Sequence, residues 1–260
     1  MMARVHPTAF VDPAAELGPD VEVGPHCCVG PKVTIGRGTR LLPGTVVLGP
    51  ASLGEENVIG PLASLGSEPQ DLKYRGEETW LRVGDRNRIR EFATLNRGTV
   101  GGGGVTTLGN DNLLMAYAHV AHDCHVGSRT VFANAGTLAG HSRVGDWAIV
   151  GAFSAVHQNC EVGEHAFIGG FSVLTRDVLP FLRVVGQRDE ARTIGVNSVG
   201  LARRGFSEEQ VRTLKRAYRI LRRKGHLRDL LEEVERSFPG SAEAMRLVAF
   251  VRQSRRGVIL

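Results

Sequence analysis

Residues 108–144 read LGNDNLLMAYAHVAHDCHVGSRTVFANAGTLAGHSRV, and every sixth one is a large apolar residue: Leu108, Leu114, Val120, Val126, Phe132, Leu138, Val144. The step continues through Val150, Val156, Val162 and Ile168 to Leu174. An earlier run keeps the same step through Val5, Val11, Leu17, Val23, Val29, Ile35, Leu41, Val47, Leu53, Ile59 and Leu65, and Val83, Ile89 and Leu95 carry it between the two. Val, Ile, Leu and Phe make up roughly a quarter of an ordinary chain, so unbroken runs of 11 and 12 are not accidental. A hexapeptide period predicts a parallel β-helix, in which each hexad is one short flat side and one corner.

Three hexads then make one triangular coil, so residues 18 apart stack at the interstrand spacing of about 4.8 Å. A second position supports this. Four residues after each apolar position the chain is nearly always small, as at Ala9, Ala15, Cys27, Thr39, Ala51 and Ala63, and later at Ala118, Cys124, Gly136, Ser142, Ser154 and Ser172. A narrow tube admits one bulky aliphatic per side and one small residue beside it. Glycine often follows the apolar position, as at Gly24, Gly60, Gly127, Gly145 and Gly163, where tight backbone geometry is expected.

The ladder is interrupted twice, at 66–82 (GSEPQDLKYRGEETWLR) and at 97–107 (RGTVGGGGVTT), where the register slips by one. Both stretches are expected to be loops ejected from the wall, and long loops on a rigid scaffold often carry function. After Leu174 the pattern stops at Pro180, and 180–206 read as an irregular exit. Ser207-Glu208-Glu209-Gln210 is a capping box, and Val211, Leu214, Ala217, Tyr218 and Leu221 follow at helical spacing. Further helices are expected at about 226–237 and 241–254. The predicted division is a β-helix over 1–186 and a small helical domain over 187–260.

Residues 201–260 carry 15 Lys and Arg against 7 Asp and Glu, a balance of +8 in a chain whose total is +5. A basic C-terminal region beside a near-neutral tube points to an acidic partner. Nucleic acid does not fit, because aromatics are only 6% and do not interleave with the basic residues. No apolar run approaches membrane-spanning length and no secretory signal opens the chain, so a cytoplasmic protein without an integral membrane segment is expected. Cys27, Cys124 and Cys160 fall in the small inward slot, as reduced cysteines in a core would.

Three histidines occur in Ala118-His119-Val120-Ala121-His122-Asp123-Cys124-His125. Eighteen residues beyond His122 lies Gly140, next to His141; eighteen further is Gln158, next to His157. His122, His141 and His157 should therefore stack on three consecutive coils, with the ejected glycine loop one coil below. Nothing in the packing of a tube requires such a column. Histidine is the commonest general base near neutral pH. Asp123 follows His122 and could fix its tautomer, and a backbone N–H near Gly140 could meet a developing oxyanion. These groups suit attack of a hydroxyl on an acyl carbonyl. Two other readings stand beside this one: a carbonic-anhydrase-like zinc site built from His119, His122 and His141, and a scaffold without activity.

The matching stretches go further than the period. QDLKY (70–74), GDRNRIRE (84–91), RGTV (97–100), DNLLM (111–115), AHVAHDC (118–124), TLAGH (137–141), AVHQ (155–158), GVN (195–197) and RRGF (203–206) together resemble the UDP-N-acetylglucosamine O-acyltransferase family, which opens lipid A synthesis. The resemblance covers essentially the whole chain. It implies that the β-helix is left-handed and that the protein is a homotrimer with active sites in the clefts between tubes. It implies a 3-hydroxyacyl donor on acyl carrier protein, UDP-N-acetylglucosamine as acceptor, and no metal or other cofactor, since a thioester is already activated. In that frame His122 is the general base, Asp123 its orienting partner and Gly140 the oxyanion donor. His119, His141 and His157 belong to the active site. Asp71 and Lys73 contact the acceptor. Gln158, Gly170, Asn197, Arg203 and Arg204 lie near the nucleotide or acyl chain, Arg offering the forked donors a diphosphate needs. Two positions depart from the enteric form of the family: Val199 replaces a Glu that helps hold the uridine, and 186–192 is longer and lacks a histidine. The sibling N-acyltransferase shares repeat and donor but adds an N-terminal uridine-binding domain, for which hexads beginning at Val5 leave no room.

Overall fold

The computed structural model describes residues 2–260. Short strands, most of two residues, form three parallel sheets of 11, 9 and 8 strands, each taking every third strand in turn. The register is the one the hexads require: His119 pairs with Thr137, Thr137 with Ala155 and Ala155 with Val173, each 18 residues on. The result is a left-handed parallel β-helix. From Val23 onward the apolar ladder is buried. Each such side chain contributes about 1.5–3 kcal/mol by leaving water. Polar residues in the small slot are buried as well, and they satisfy one another along the tube axis. Asn87 Nδ2 donates to Asn57 Oδ1 (3.0 Å), Asn112 Nδ2 to Asn87 Oδ1 (2.9 Å) and Thr130 Oγ1 to Asn112 Oδ1 (2.7 Å).

The corners have a regular conformation of their own. The third residue after most ladder positions is left-handed, as at Asp111, Tyr117, Asp123, Arg129, Ala135, His141, Trp147, Phe153, Asn159 and His165. Apart from Gly66, where the first ejected loop begins, the glycines directly after the ladder position are not left-handed. They are small because the next coil is close: a Cβ at Gly60 would lie 2.5 Å from the Arg90 carbonyl carbon, and one at Gly145 2.6 Å from Glu164 N. In the regular coils the residue after that does not donate its N–H to the backbone ladder; Arg97, beside the ejected loops, is an exception. Proline costs nothing there, and Pro7, Pro13, Pro19, Pro25, Pro31, Pro43 and Pro61 occupy the slot.

The two insertions are shorter than the polarity of the sequence suggests. Wall strands run over Ser64–Ser67, Trp80–Val83 and Val105–Leu108, so the ejected chain is 68–79 and 97–104. The segment 180–206 is also more ordered than expected. Leu182–Val185 extends the largest sheet in parallel, and Arg192–Val196 returns antiparallel to close its end. The boundary expected at 186 therefore falls inside a hairpin. A short helix, α1 (Ser198–Arg203), follows, capped by Asn197. It is too short to show a helical period. Helices α2 (Glu208–Leu221), α3 (Leu227–Ser237) and α4 (Ala242–Gln253) lie where the three helices are expected, with both hydrogen bonds of the Ser207–Gln210 capping box formed. Their apolar stripes pack with Leu179, Phe181, Leu182 and Val196 of the last coil. The C-terminal tail then returns to the tube, where Ile259 is buried in the main core.

Candidate active site

The insertion at 97–104 shapes the corner above it. At His141 and Asn159 the backbone N–H is taken by a carbonyl one coil back, His122 O and Gly140 O. Below Asp123 the chain has been ejected, and the Asp123 N–H donates instead to Thr106 Oγ1 at 2.8 Å. The Asp123 side chain, 1% exposed, lies under the loop. Thr99 N–H donates to its Oδ1 (2.7 Å) and Thr99 Oγ1–H to its Oδ2 (2.6 Å). Gly102 closes over it so tightly that a Cβ there would stand 2.0 Å from the carboxyl carbon. A buried carboxylate needs several donors, and His122 Nδ1 provides a third, 2.7 Å from Oδ2.

That bond sets the chemistry of His122. A carboxylate only accepts, so Nδ1 carries the proton and Nε2 presents a lone pair. The His122 side chain is 14% exposed, enough to meet a substrate. His141 stands edge-on to it, ring centroids 5.1 Å apart, with its Nδ1 3.6 Å from the same carboxylate oxygen. Gly140 lies against the His122 ring: a Cβ would be 2.6 Å from Cε1 and 2.7 Å from Nε2, so any side chain would press on the base. Its N–H occupies the slot that prolines fill elsewhere and makes no backbone hydrogen bond among the described residues. One coil corner thus brings together a base, its orienting carboxylate and a free N–H donor.

His119 is beside this group but turned aside, its Nδ1 hydrogen-bonded to Thr94 Oγ1 at 2.7 Å. Burial, and then the proximity of His122, hold its pKa below the ordinary value. The set that converges is therefore His122, Asp123 and His141, within 4.8 Å of one another, and not the His119–His122–His141 set of the zinc reading. In this geometry the Nδ1 atoms face the carboxylate. His157 is exposed two coils up, with Arg256 Nη2 3.5 Å from its Nδ1, and Gln158 is exposed beside it.

The remaining predicted residues lie elsewhere on the chain. Asp71 and Lys73 are in the 68–79 loop, where Asp71 Oδ1 accepts the Lys73 N–H at 2.9 Å. That loop is tethered by Arg97, which donates to Gly66 O (3.0 Å) and the Tyr74 hydroxyl (2.8 Å). Asn197 and Arg203 line a separate cavity of about 280 Å³ with Phe167, Arg183 and Val199. Asn197 is buried and structural: it caps α1 through Gly200 N–H (3.2 Å) and donates to His165 O (3.0 Å). Arg204 is committed to the fold, its Nη1 3.0 Å from His165 Nδ1 and its guanidinium over the Trp147 ring. Gly170 is exposed on another corner. Thr99, Thr94 and Thr106 are the functional neighbours that sequence reasoning missed. The register slip at 97–107 was the signal that the chain there does more than turn.

A model of the second domain of UDP N-acetylglucosamine O-acyltransferase matches residues 177–259. The acyl-[acyl-carrier-protein]–UDP-N-acetylglucosamine O-acyltransferase of Janthinobacterium sp. is 46% identical over 263 residues, spanning 99% of this chain and all of its own. The enzyme of that name from Thiobacillus denitrificans is 49% identical over 204 residues, 78% of each chain. Among solved structures, UDP-N-acetylglucosamine acyltransferase from Bacteroides fragilis superposes with a TM-score of 0.95 at 37% identity, covering 98% of this chain and 100% of its own. The Arabidopsis UDP-N-acetylglucosamine acyltransferase gives 0.85 at 33% identity, covering 98% and 100%.

Proposed function

This chain belongs to the acyl-[acyl-carrier-protein]–UDP-N-acetylglucosamine O-acyltransferase family, and on that premise we propose that it moves a 3-hydroxyacyl group from acyl carrier protein to the 3-hydroxyl of UDP-N-acetylglucosamine, the opening step of lipid A synthesis, with His122 as general base. The observation that carries the mechanism is the 2.7 Å bond between His122 Nδ1 and the buried Asp123 carboxylate. It leaves Nε2 free to take the acceptor's hydroxyl proton as the oxygen attacks the thioester carbon. The C–O bond forms and the carbonyl oxygen gains charge opposite the Gly140 N–H. Collapse breaks the C–S bond, and the proton held on His122 passes to the departing thiolate. The Asp123 carboxylate stabilises the imidazolium in between and stays ionised.

Asn197 and Arg203 line a cavity apart from the corner within one chain, and a homotrimer with sites between tubes would bring a second chain's residues to it. An exposed apolar edge supports such an assembly: Leu62, Phe92, Tyr117, Phe153 and Phe171 line one corner of the tube, with Phe92 stacked on Tyr117 and Phe153 on Phe171. No helix among the described residues is long and apolar enough to cross a membrane, which agrees with action on a soluble carrier in the cytoplasm. Incubation of the protein with 3-hydroxyacyl carrier protein and either UDP-N-acetylglucosamine or its 3-amino analogue tests the reading. A 3-O-acylated sugar nucleotide by mass spectrometry is expected. Transfer only to the amino sugar, or from acetyl-CoA alone, would replace it.

A further inference from the structure

A cavity of about 480 Å³ adjoins the histidine corner on the side of the sheet that carries His125, Arg143 and Glu161. Its walls reach from Asp123 and His141 to Arg143 and to Arg255 and Arg256 of the C-terminal tail. The tail is built into the fold. Asp177 N–H donates to Gly257 O (2.8 Å), Ile259 N–H donates back to Asp177 O (2.9 Å), and Val258 and Ile259 are buried. The Asp177 carboxylate is consumed in the same task, accepting the Glu161 N–H (2.8 Å) and the Ser254 hydroxyl (2.6 Å).

The cavity's three arginines, Arg143, Arg255 and Arg256, share it with three acids, Asp123, Glu161 and Asp177, two of which, Asp123 and Asp177, are already engaged by hydrogen bonds within the fold. Several arginines of the helical region are paired: Arg223 with Glu233, Arg228 with Glu232, Arg246 with Glu164 and Arg252 with Glu235. Arg143 and Arg255 make no ion pair among the described residues, and Arg256 donates weakly to Thr175 O at 3.3 Å. Glu161, the remaining acid, is cross-strand from Arg143 and is the one carboxylate near the three arginines that the fold does not otherwise use; burial first and Asp177 second raise its pKa, while Arg143 lowers it. Thr175 and Arg256 stand three coils above His122, about 14 Å at 4.8 Å per coil. The pantetheine arm of a carrier protein, two amides and their linkers, spans about as far as four extended residues, roughly 14 Å.

We propose that Arg255 and Arg256, with Arg143, form an anion site for the phosphodiester of the donor's 4′-phosphopantetheine arm, at the distance that delivers its thioester to His122. This rests on the carrier-dependent reading above. Two donors differing only in the phosphate test it: 3-hydroxyacyl-4′-phosphopantetheine and 3-hydroxyacyl-pantetheine, each with UDP-N-acetylglucosamine and the full chain. Arg255→Gln/Arg256→Gln should raise KM for the phosphorylated donor about 10- to 100-fold, the worth of hydrogen bonds to a charged group. Its kcat, and all constants for the unphosphorylated donor, should stay unchanged. Arg252→Gln should move neither. Equal losses on both donors, or no loss on either, would overturn the proposal. Calorimetric titration of 4′-phosphopantetheine reads the site without turnover: wild type should bind and the double variant should not, and equal binding overturns it. A wild type that binds the arm yet transfers no acyl group would instead count against the proposed function.

Discussion

Two corners of the same tube share a left-handed backbone slot and carry histidines at or beside it, His165 in the slot and His122 just before Asp123, and they use them in opposite ways. On one edge the slot holds Asp123, His141 and Asn159; on another it holds Arg129, Trp147, His165 and then Phe181. At the first, the carboxylate of Asp123 takes Nδ1–H from His122 and leaves Nε2 open. At the second, His165 lies stacked between Trp147 (6.0 Å) and Phe181 (5.6 Å), and Arg204 donates to its Nδ1. Burial first, then Arg204 and Arg246, push the His165 pKa down to about 4. A carboxylate partner keeps an imidazole able to gain a proton, whereas a guanidinium partner needs it neutral. The partner, rather than the residue type, separates a base from a structural wedge.

The contrast is broken most sharply at His122. His122→Ala should lower kcat by about 10²–10⁴, the usual worth of a general base, with an unchanged melting temperature and acceptor affinity. Near-full kcat would mean the carboxylate-paired corner is not the base. At His165 the expected effect is on stability. Its folded pKa lies below the ordinary value of 6.5, so the unfolded chain binds the proton more tightly. Stability is then fully present above about pH 6.5 and is lost as pH falls toward 4, by up to about 3 kcal/mol. His165→Gln keeps an acceptor for Arg204 without titrating, so its melting temperature should fall less than wild type's between pH 7 and 4. Parallel curves would show that His165 is not the acid-sensitive group. Thr99→Val removes one of three donors to Asp123 and should cost about 10- to 100-fold in kcat, some 1.5–3 kcal/mol, with KM unchanged. Thr99→Ser should restore most of it. A loss that appears in KM, or no rescue by serine, would make Thr99 a loop anchor only.

The difference between the two corners was only half visible in the sequence. The period placed His122, Gly140 and Gln158 on one line, because a parallel coil of fixed length turns sequence spacing into distance. Asp123 is adjacent in sequence, so its pairing with His122 was readable as well. Thr99 was not, since the ejected loop breaks the register that made everything else computable. His165 lies outside the histidine column, and its partners, Arg204 and Phe206, come from a segment with no period at all. The position of the Arg204 guanidinium over the Trp147 ring is likewise invisible to the period. Helix α1 escaped notice at six residues, although Asn197, capping it, is a preferred residue for that place.

The smallest effect is expected at His125, and it is the most discriminating. His125 is three residues from His122 and lines the same cavity as Asp123 and His141, so proximity alone would make it a second base. Its setting says otherwise. It sits on a wall strand, not in the corner slot, and its Nδ1 is bonded to Thr107 Oγ1 at 3.0 Å, a neutral partner. Burial first, then Arg143, hold its pKa below the ordinary value, which favours the uncharged ring. No carboxylate fixes its tautomer or would steady the imidazolium that base catalysis creates. His125→Ala should therefore lower kcat by no more than about fivefold, the net worth of one neutral hydrogen bond, measured beside His122→Ala under the same saturating donor. A loss near that of His122→Ala would mean that nearness to the cavity, and not the carboxylate partner, chooses the base.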